Sequence, residues 1–244
     1  MDRIVAVGVV KNYESGKVTV NVLKQIDLVI DSDDFVGITG ASGSGKTTLL
    51  YVLSGLELPT AGTVALLGKA TGDYNDRELA SLRQRKIGFI FQFYNLIPNL
   101  TVRENVELAA VLAKNRAPNR IDEVLAMVGM LDKKDAFPNE LSGGMQQRVA
   151  IARALVNDPE VIFADEPTGN LDSVNAAEIM GILRDLNRMH KKTIVLVTHG
   201  EEFLRYCNRN VRLADGKVVK DVRLRRGLKS ASPGATSSGT SVAR

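Results

Sequence analysis

The hydrophobic and polar positions divide the chain into three stretches with different periods. Over the first thirty residues apolar and polar side chains alternate, as at Ile4 and Val9, and this pattern predicts half-buried antiparallel strands. From Thr101 to about Met130 the spacing becomes helical, and from Val161 onward strand-like and helix-like segments alternate. Strands separated by helices favour parallel pairing. We therefore expect an α/β fold with a mostly parallel sheet, an N-terminal antiparallel β flank and an inserted α-helical subdomain.

Individual elements can be placed from their caps and apolar faces. Thr101 is followed three residues later by Glu104, which is the spacing of a capping box and predicts a helix that begins there. The apolar face of that helix is predicted to contain Val102, Val106, Leu108, Ala109 and Leu112. A helix at 173–190 has a stripe typical of core packing, formed by Ala176, Ile179, Met180, Leu183 and Leu186. Further strands are predicted at 35–39, 62–68, 87–91, 161–164, 193–198 and near 210 and 218, and further helices at 76–85 and 120–128.

A glycine-rich stretch, GASGSGKTT at residues 40–48, lies between a predicted strand and a predicted helix. Its G-x-x-x-x-G-K-[ST] spacing is that of a phosphate-binding loop, and the flanking pattern disfavours a turn with a chance lysine. Glycines let the backbone form a nest of N–H groups, and the helix adds the positive end of its dipole, so an anion binds favourably. Lys46 would reach the outer phosphates, and Thr47 would offer its hydroxyl to Mg²⁺.

Two adjacent carboxylates, Asp165 and Glu166, end the apolar segment that begins at Val161. In a nucleotide-binding fold the ligand lies at the carboxyl ends of the strands, so both carboxylates would reach the phosphate loop. We expect Asp165 to hold Mg²⁺, often through water, and Glu166 to polarise the water that attacks the γ-phosphate. An Asp-Glu pair at a strand end is commonly a solvated turn, but the phosphate loop in the same chain favours the functional interpretation.

A second glycine-rich segment, LSGGM at residues 141–145, begins a helix that continues through VAIARALV. Ser142 is a natural N-cap, but the two glycines after it each cost about 1 kcal/mol relative to alanine in a helix. Glycines at a helix N-terminus let an anion approach the exposed N–H groups, so we interpret the segment as a second phosphate site. Because the chain has one ATP-sized loop, this second site is expected to serve a nucleotide held by another copy.

With these motifs the chain resembles the ATPase subunits of ATP-binding cassette (ABC) transporters. That family is identified by a phosphate loop, a glutamine after a strand, an LSGGQ-like signature, an apolar strand ending in Asp-Glu, and a late histidine; all five occur here in order, over about residues 3–220. GASGSGKTTLL, IGFIFQFYNLIPNLTVRENVEL and DEPTGNLDS are most similar to the lipoprotein-release, macrolide-efflux and antimicrobial-peptide-resistance group, and the cell-division ATPases are close too. The resemblance implies a P-loop NTPase core.

The resemblance also implies roles for three side chains that are ambiguous alone. Tyr13, in the polar turn-like segment KNYESGK, would stack on adenine, although an aromatic on a strand edge is an equal alternative from this feature alone. Gln92 would contact Mg²⁺ or the attacking water and sense the membrane partner. His199 would contact the γ-phosphate, whereas without the other motifs it would be an ordinary surface histidine.

Residues outside the phosphate loop would act across a dimer. Ser142 and Gly144 would meet the γ-phosphate of the ATP bound to the opposite subunit, and Asp172 matches the loop that communicates between the subunits. The implied catalytic residues are Glu166, His199 and Gln92. The implied nucleotide-binding residues are Tyr13, Ser42, Gly43, Ser44, Gly45, Lys46, Thr47, Thr48, Ser142, Gly143, Gly144 and Asp172, and the implied metal ligands are Thr47, Gln92 and Asp165.

Three positions depart from the family pattern. Met145 stands where the family usually has glutamine, so a polar contact near the nucleotide or the helix cap is missing. Gly200 follows His199 where aspartate is usual, and Asp33-Asp34 replaces the common Gly-Glu, which we expect to be without consequence. Because Lys46, Asp165 and Glu166 are all present, we still expect ATP hydrolysis.

The implied function is a subunit that binds ATP and Mg²⁺, forms a homodimer around two nucleotides and drives a separate membrane permease with an extracytoplasmic domain. This work would be export or extracytoplasmic mechanotransmission, performed at the cytoplasmic face of the membrane. The alternative is a soluble cassette ATPase of translation or DNA repair, but those usually carry two cassettes or a long coiled-coil insertion. A regulatory module that uses ATP as a switch would leave Glu166 without a role.

Composition and charge argue against three classes of protein: membrane-spanning, disulfide-bonded and nucleic-acid-binding. No stretch approaches the ~18 apolar residues that span a bilayer, and MDRIVAVGVVK is unlike a signal peptide, so we expect a cytoplasmic chain. A single cysteine, Cys207, rules out an internal disulfide. The net charge is +4, but residues 217–244 carry seven basic residues against one acid, so the rest of the chain is slightly acidic. This distribution argues against a nucleic-acid partner.

The composition of the last residues predicts where the nucleotide-binding domain ends. Residues 225–244 are rich in Ser, Gly, Ala and Thr without periodicity, which predicts disorder. The nucleotide-binding domain is then expected at 1–224, with the helical subdomain at about 93–157. For the basic residues of the tail a solvated charge run is preferred over contact with anionic lipid headgroups.

Overall fold

The computed structural model describes residues 2–16, 18–115 and 118–224, so the tail predicted to be disordered, 225–244, lies outside the described residues. The strands are β1 (Asp2–Ser15), β2 (Val18–Asp31), β3 (Phe35–Thr39), β4 (Ala61–Leu66), β5 (Lys69–Ala70), β6 (Ile87–Ile90), β7 (Val161–Asp165), β8 (Thr193–Val197), β9 (Arg209–Ala214) and β10 (Lys217–Arg223). The α-helices are α1 (Lys46–Leu53), α2 (Asp76–Lys86), α3 (Val102–Leu112), α4 (Pro118–Met127), α5 (Gly143–Leu155) and α6 (Ser173–His190).

The predicted N-terminal flank is an antiparallel sheet with strand order β2-β1-β4-β5. Ile4 pairs with Ile30, and the alternate residues of both strands are buried against the rest of the molecule. The pairing continues to Tyr13 opposite Val20, so Tyr13 lies inside β1 and the interpretation of KNYESGK as a turn is wrong. The segment is polar because the two strands project beyond the core here, where Val20 and its neighbours are exposed.

The central sheet has six strands in the order β10-β9-β3-β8-β7-β6. The five strands from β9 to β6 are parallel, and β10 adds an antiparallel edge. β3 and β8 are buried along their whole length, which explains their continuous apolar sequences. In the register Ile38 and Asp165 both lie beside Val197, so the carboxyl ends of β3, β8 and β7 meet at one edge. Asp165 and Glu166 therefore lie at the same edge as the phosphate loop that follows β3.

Each face of the parallel sheet has its own core. On one face, side chains such as Ile38 and Phe163 pack with α1 and the antiparallel sheet, and on the other, Ile162 and Leu196 pack with the helices from α3 to α6. The whole predicted stripe of α6 is buried there. Because complete burial of a large apolar side chain is worth about 1.5–3 kcal/mol, the two layers hold the sheet edge firmly.

The inserted helices show one error in the predicted faces. The capping box at Thr101 is confirmed, but Leu108 and Leu112 are exposed. The buried face is turned toward Asn105, whose amide donates hydrogen bonds to backbone oxygens, those of Ile97, Leu100 and Thr101. A buried asparagine thus sets the helix orientation that apolar spacing alone assigned differently. The domain limits 1–224 and 93–157 stay a prediction.

Candidate active site

The phosphate loop connects β3 to α1 and is closed around the ammonium group of Lys46. Gly45, the N-cap of α1, has φ 97°, a left-handed conformation that favours glycine. The Lys46 side chain is buried, and its Nζ donates to the carbonyl oxygens of Gly40 at 3.1 Å and Ala41 at 2.9 Å. A loop that curls around its own cation presents backbone N–H groups and positive charge to the same point.

This loop lines a cleft of about 510 Å³. The cleft is lined by Val22, Ser42, Gly43, Gly45, Lys46, Thr47, Thr48, Glu166 and His199. Ser44, between these residues, is buried, and its hydroxyl has no hydrogen-bond partner within the described parts of the chain. An unpaired buried hydroxyl, a lysine and the open N-terminus of α1 together fit a phosphate group. The predicted residues 42–48 are therefore gathered at one place.

Thr47 and Asp165 are joined directly. The Thr47 hydroxyl donates to Asp165 Oδ1 at 3.0 Å, and the Tyr51 side chain, one helical turn further, interacts with the same carboxylate. Burial raises the pKa of Asp165, and the hydrogen bond from Thr47 opposes this rise. A hydroxyl and a carboxylate side by side are the hard oxygen ligands that fit Mg²⁺.

Glu166 has a strained backbone at the floor of the cleft. Its φ is 45°, while its N–H donates to the carbonyl oxygen of Val197 at 3.0 Å, which fixes the residue against β8. A left-handed backbone conformation at a non-glycine residue costs about 1–3 kcal/mol, and it persists only where the surrounding structure imposes it. The carboxylate Oε2 lies 3.2 Å from Nδ1 of His199, whose own side chain is 68% exposed. Two of the three predicted catalytic residues are thus in contact.

Gln92, predicted as a catalytic and metal-binding residue, is bonded elsewhere. Its Nε2 donates to Asn170 Oδ1 at 3.3 Å, and the Asn170 amide donates to the Gln92 carbonyl oxygen at 3.2 Å. Among the described residues the cleft lining does not include Gln92. The reciprocal pair ties the end of β6 to the loop after Glu166, and the role of Gln92 at a metal stays a prediction.

The signature segment is arranged as a helix cap with two tightly packed glycines. The Ser142 hydroxyl accepts from the Met145 N–H at 3.3 Å, which confirms Ser142 as the N-cap of α5. A Cβ atom at Gly144 would lie 2.3 Å from Asn175 Oδ1, and one at Gly143 would lie 2.8 Å from the Tyr94 hydroxyl. Close packing is therefore a second reason for both glycines, in addition to the expected approach of an anion.

Asp172 caps α6 and connects it to the signature. Its Oδ1 accepts from the Asn175 N–H at 2.9 Å, and its Oδ2 accepts from the Asn175 side-chain amide at 2.7 Å. These bonds, the backbone one first, lower the pKa of Asp172. Since Asn175 Oδ1 faces Gly144, one side chain bridges the two predicted dimer-facing segments. Sequence reasoning missed Asn170 and Asn175; the available signal was an asparagine beside each motif.

Tyr13 lies at the rim of the site, beside Thr48. Its hydroxyl donates to Glu57 Oε2 at 2.6 Å. Burial, followed by the bond to Glu57, raises the pKa of Tyr13. Tyr13 is 38% exposed but does not belong to the cleft lining within the described chain, so its stacking on adenine stays a prediction.

The sequence profile of the ABC transporter family matches residues 23–169, the segment that contains the phosphate loop, the signature and Asp165-Glu166. The chain belongs to the ABC transporter family. This ABC chain is 47% identical over 217 residues to the lipoprotein-releasing system ATP-binding protein LolD of Aquifex aeolicus, covering 88% of this chain and 93% of LolD. It is 45% identical over 217 residues to the macrolide export ATP-binding/permease protein MacB of Chlorobaculum tepidum, but spans only a third of that protein's length.

Solved ABC cassettes share the fold. The cassette MJ0796, solved as a post-hydrolysis dimer bound to ADP and Pi, superposes with a TM-score of 0.84 at 42% identity, covering 91% of this chain and 99% of MJ0796. The predicted family, the P-loop NTPase fold and the assignment as an ABC transporter ATPase are thereby confirmed. Over residues 2–16, 18–115 and 118–224, no helix has the length and apolar character needed to cross a membrane.

Proposed function

We propose that two copies of this ABC ATPase close around two molecules of ATP with Mg²⁺, each held between the phosphate loop of one copy and the signature of the other. The observation that carries this proposal is the composition of the cleft. Its lining within the described chain includes Lys46 and Glu166 but neither Ser142 nor Gly144, although both kinds of element fit phosphate. The cassette MJ0796, solved as a dimer bound to ADP and Pi, supports a dimer that holds nucleotide.

Within each site the residues of this chain would divide the work. Bound Mg²⁺ would supply positive charge to the phosphates, held by Thr47 and Asp165, which already share a hydrogen bond. Lys46 would exchange its bonds to Gly40 and Ala41 for bonds to phosphate oxygens. Glu166 would accept a proton from the attacking water, with His199, 3.2 Å away, orienting the carboxylate.

A groove beside β6 supports the proposal that this ATPase drives a membrane permease. It has a volume of about 370 Å³ and is mainly apolar, with Phe89, Phe91 and Leu112 in its wall. Leu112 is 57% exposed and lies on the same helix as the exposed Val111 and Leu108, and a contiguous exposed apolar patch is typical of a surface that binds another protein. Phe91 immediately precedes Gln92, so an occupant would contact the strand end that is bonded to Asn170. We assign the groove to a cytoplasmic segment of a membrane permease.

The names of the relatives support this partner. LolD is the ATP-binding protein of a lipoprotein-releasing system, and MacB is a macrolide export protein that combines ATP-binding and permease parts. The chain would therefore lie at the cytoplasmic face of the membrane, coupled to a permease with an extracytoplasmic domain, and power export or mechanotransmission.

Turnover and dimer formation of the Glu166→Gln variant test the proposal. We expect ATP hydrolysis to fall about 10²- to 10⁴-fold, because the water loses its base, while ATP now traps a stable dimer. Glu107→Gln, on the exposed face of α3, is the matched control and should behave as wild type. Equal turnover in wild type and Glu166→Gln, or a monomer in both with ATP and Mg²⁺, would contradict the proposal.

The permease assignment has its own test. Leu112→Glu places a charge in the groove wall and should release the protein from membranes of the native host while leaving ATP binding intact. Val111→Glu changes the neighbouring exposed residue outside the groove lining and is the control. Loss of membrane association in both variants, or in neither, would count against the groove as the docking site.

A further inference from the structure

Glu57 accepts two strong bonds next to the predicted base-binding residue. The Tyr13 hydroxyl donates to its Oε2 at 2.6 Å, and Lys11 Nζ lies 3.0 Å from the same oxygen. Lys11 Nζ also lies over the Tyr13 ring, 5.1 Å from its centroid, and donates to the carbonyl oxygen of Leu58 at 2.9 Å. The three side chains therefore form one closed unit, in which a carboxylate and an ammonium group hold a phenol from two sides.

The backbone that carries Glu57 is fixed to the phosphate-loop helix. The N–H groups of Leu56 and Glu57 donate to the carbonyl oxygen of Tyr51 in α1 at 3.0 and 3.1 Å. Three residues further, the Thr60 N–H donates to the carbonyl oxygen of Val10 in β1 at 2.8 Å. Glu57 thus connects the helix that presents Lys46 and Thr47 with the strand that presents Tyr13.

The negative charge of Glu57 strengthens the hydrogen bonds by which it holds Tyr13. Burial acts to raise its pKa, but the hydrogen bonds from Tyr13 and Lys11 outweigh burial and lower the pKa below the ordinary value. The carboxylate is consequently ionised at neutral pH, and hydrogen bonds to ionised acceptors are about twice as strong as neutral ones. A partly exposed tyrosine without such an anchor would lose rotamer freedom on binding a ligand, which weakens binding.

We propose that Glu57 is a positioning residue for the nucleotide base, because it holds the Tyr13 ring at the rim of the cleft in the orientation that stacks on the base of bound ATP. This inference rests on the proposed function, ATP binding at the phosphate loop, together with the base-stacking role that the family resemblance implies for Tyr13. Phosphate contacts belong to the loop and do not involve Glu57. Removing Glu57 should therefore weaken only the part of the affinity that depends on the base.

Paired titrations with ATP and with inorganic tripolyphosphate test this separation. Tyr13→Phe keeps the ring and loses the bonded hydroxyl, whereas Glu57→Ala keeps the tyrosine and loses its anchor. We expect each variant to bind ATP about threefold to tenfold more weakly, the double variant to be no weaker than either single one, and tripolyphosphate affinity to be unchanged. Glu57→Gln, which retains an acceptor oxygen, should recover part of the loss, and Glu14→Ala, on the same strand, is the control.

The possible failures are distinguishable. If Tyr13→Ala weakens ATP binding but Tyr13→Phe and Glu57→Ala do not, Tyr13 binds the base without help and the role of Glu57 is refuted. If Glu57→Ala weakens tripolyphosphate equally, Glu57 acts through the fold of the loop and the inference is again refuted. If Tyr13→Ala leaves ATP affinity unchanged, Tyr13 does not bind the base and the inference is refuted. If the wild-type protein binds neither compound, the proposed nucleotide site itself is wrong.

Discussion

The carboxyl edge of the parallel sheet and the N-terminus of α5 both carry residues suited to bind phosphate. They differ in whether these residues line the cleft formed by the chain itself. At the sheet edge Lys46, Thr47 and Glu166 line one cleft, and Thr47 is hydrogen-bonded to Asp165 beside it. At α5, Ser142 caps its own helix and Gly144 packs against Asn175, and neither lines that cleft within the described chain. This difference supports our proposal that one chain builds a nucleotide-binding half-site and presents the complementary half to another copy.

The largest effects are expected from one substitution in each region, because the first should change ATP affinity and the second should change turnover. Lys46→Ala should weaken ATP binding to the isolated chain about 10- to 100-fold, because a charge-assisted contact to phosphate is lost. Ser142→Asp retains the helix cap but adds a negative charge, so we expect unchanged ATP affinity of the isolated chain and turnover reduced at least about 100-fold. Calorimetric titration and phosphate-release assays measure the two quantities.

Ser142→Asn, a neutral cap, is the matched control and should retain most of the turnover. If Ser142→Asp weakened ATP binding to the isolated chain as much as Lys46→Ala does, the two regions would belong to the same half-site, contrary to the account.

Packing behind the signature predicts a smaller effect on stability. Gly144→Ala would place a Cβ atom 2.3 Å from Asn175 Oδ1, so we expect the free energy of unfolding in urea to fall by about 1–3 kcal/mol. In an Asn175→Ala background, which lacks the obstructing amide and its bond to Asp172, the same Gly144→Ala substitution should cost less. Additive losses in the double variant would show that the contact is not responsible.

The smallest effect concerns the sheet edge, where Asp165 opposes folding. Burial raises the pKa of Asp165 in the folded chain above its unfolded value, so stability is lost as pH rises through that interval and the carboxylate ionises. Without nucleotide, Asp165→Asn should therefore melt about 2 °C higher than wild type at pH 7, and the difference should disappear in acid. A lower melting temperature for Asp165→Asn at pH 7 would contradict this assignment.

Much of this site was visible in the sequence, for physical reasons that differ between residues. Asp165 and Glu166 lie at the end of one apolar strand, and Lys46 follows another after the glycine-rich loop. Parallel strands place their carboxyl ends together, so local pattern and topology determine where these side chains lie. Tyr13 was misplaced in a turn because strands that extend beyond the core lose their apolar alternation. Leu108 and Leu112 were misplaced because a polar residue, Asn105, takes the buried position through three backbone contacts.

Contacts between distant segments were not predictable from pattern. The Gln92–Asn170 pair, the Asn175 bridge and the Glu57 anchor each join residues that are polar and locally unremarkable, and only the tertiary fold brings them together. That the replacement of Gly-Glu by Asp33-Asp34 has no consequence stays a prediction, but the sequence pattern did not show that Asp34 is buried between Arg209 and Arg223 and helps to fasten β9 and β10 to β3.

Mixing two inactive variants tests the shared site most directly. Lys46→Ala has an intact signature and Ser142→Asp has an intact phosphate loop, so a heterodimer of the two contains one complete site. An equimolar mixture is predicted to recover about a quarter of wild-type ATP turnover, because half of randomly formed dimers are mixed and each has one of two sites. A mixture that stays as inactive as the separate variants, although the two chains associate, would contradict a site built from two copies.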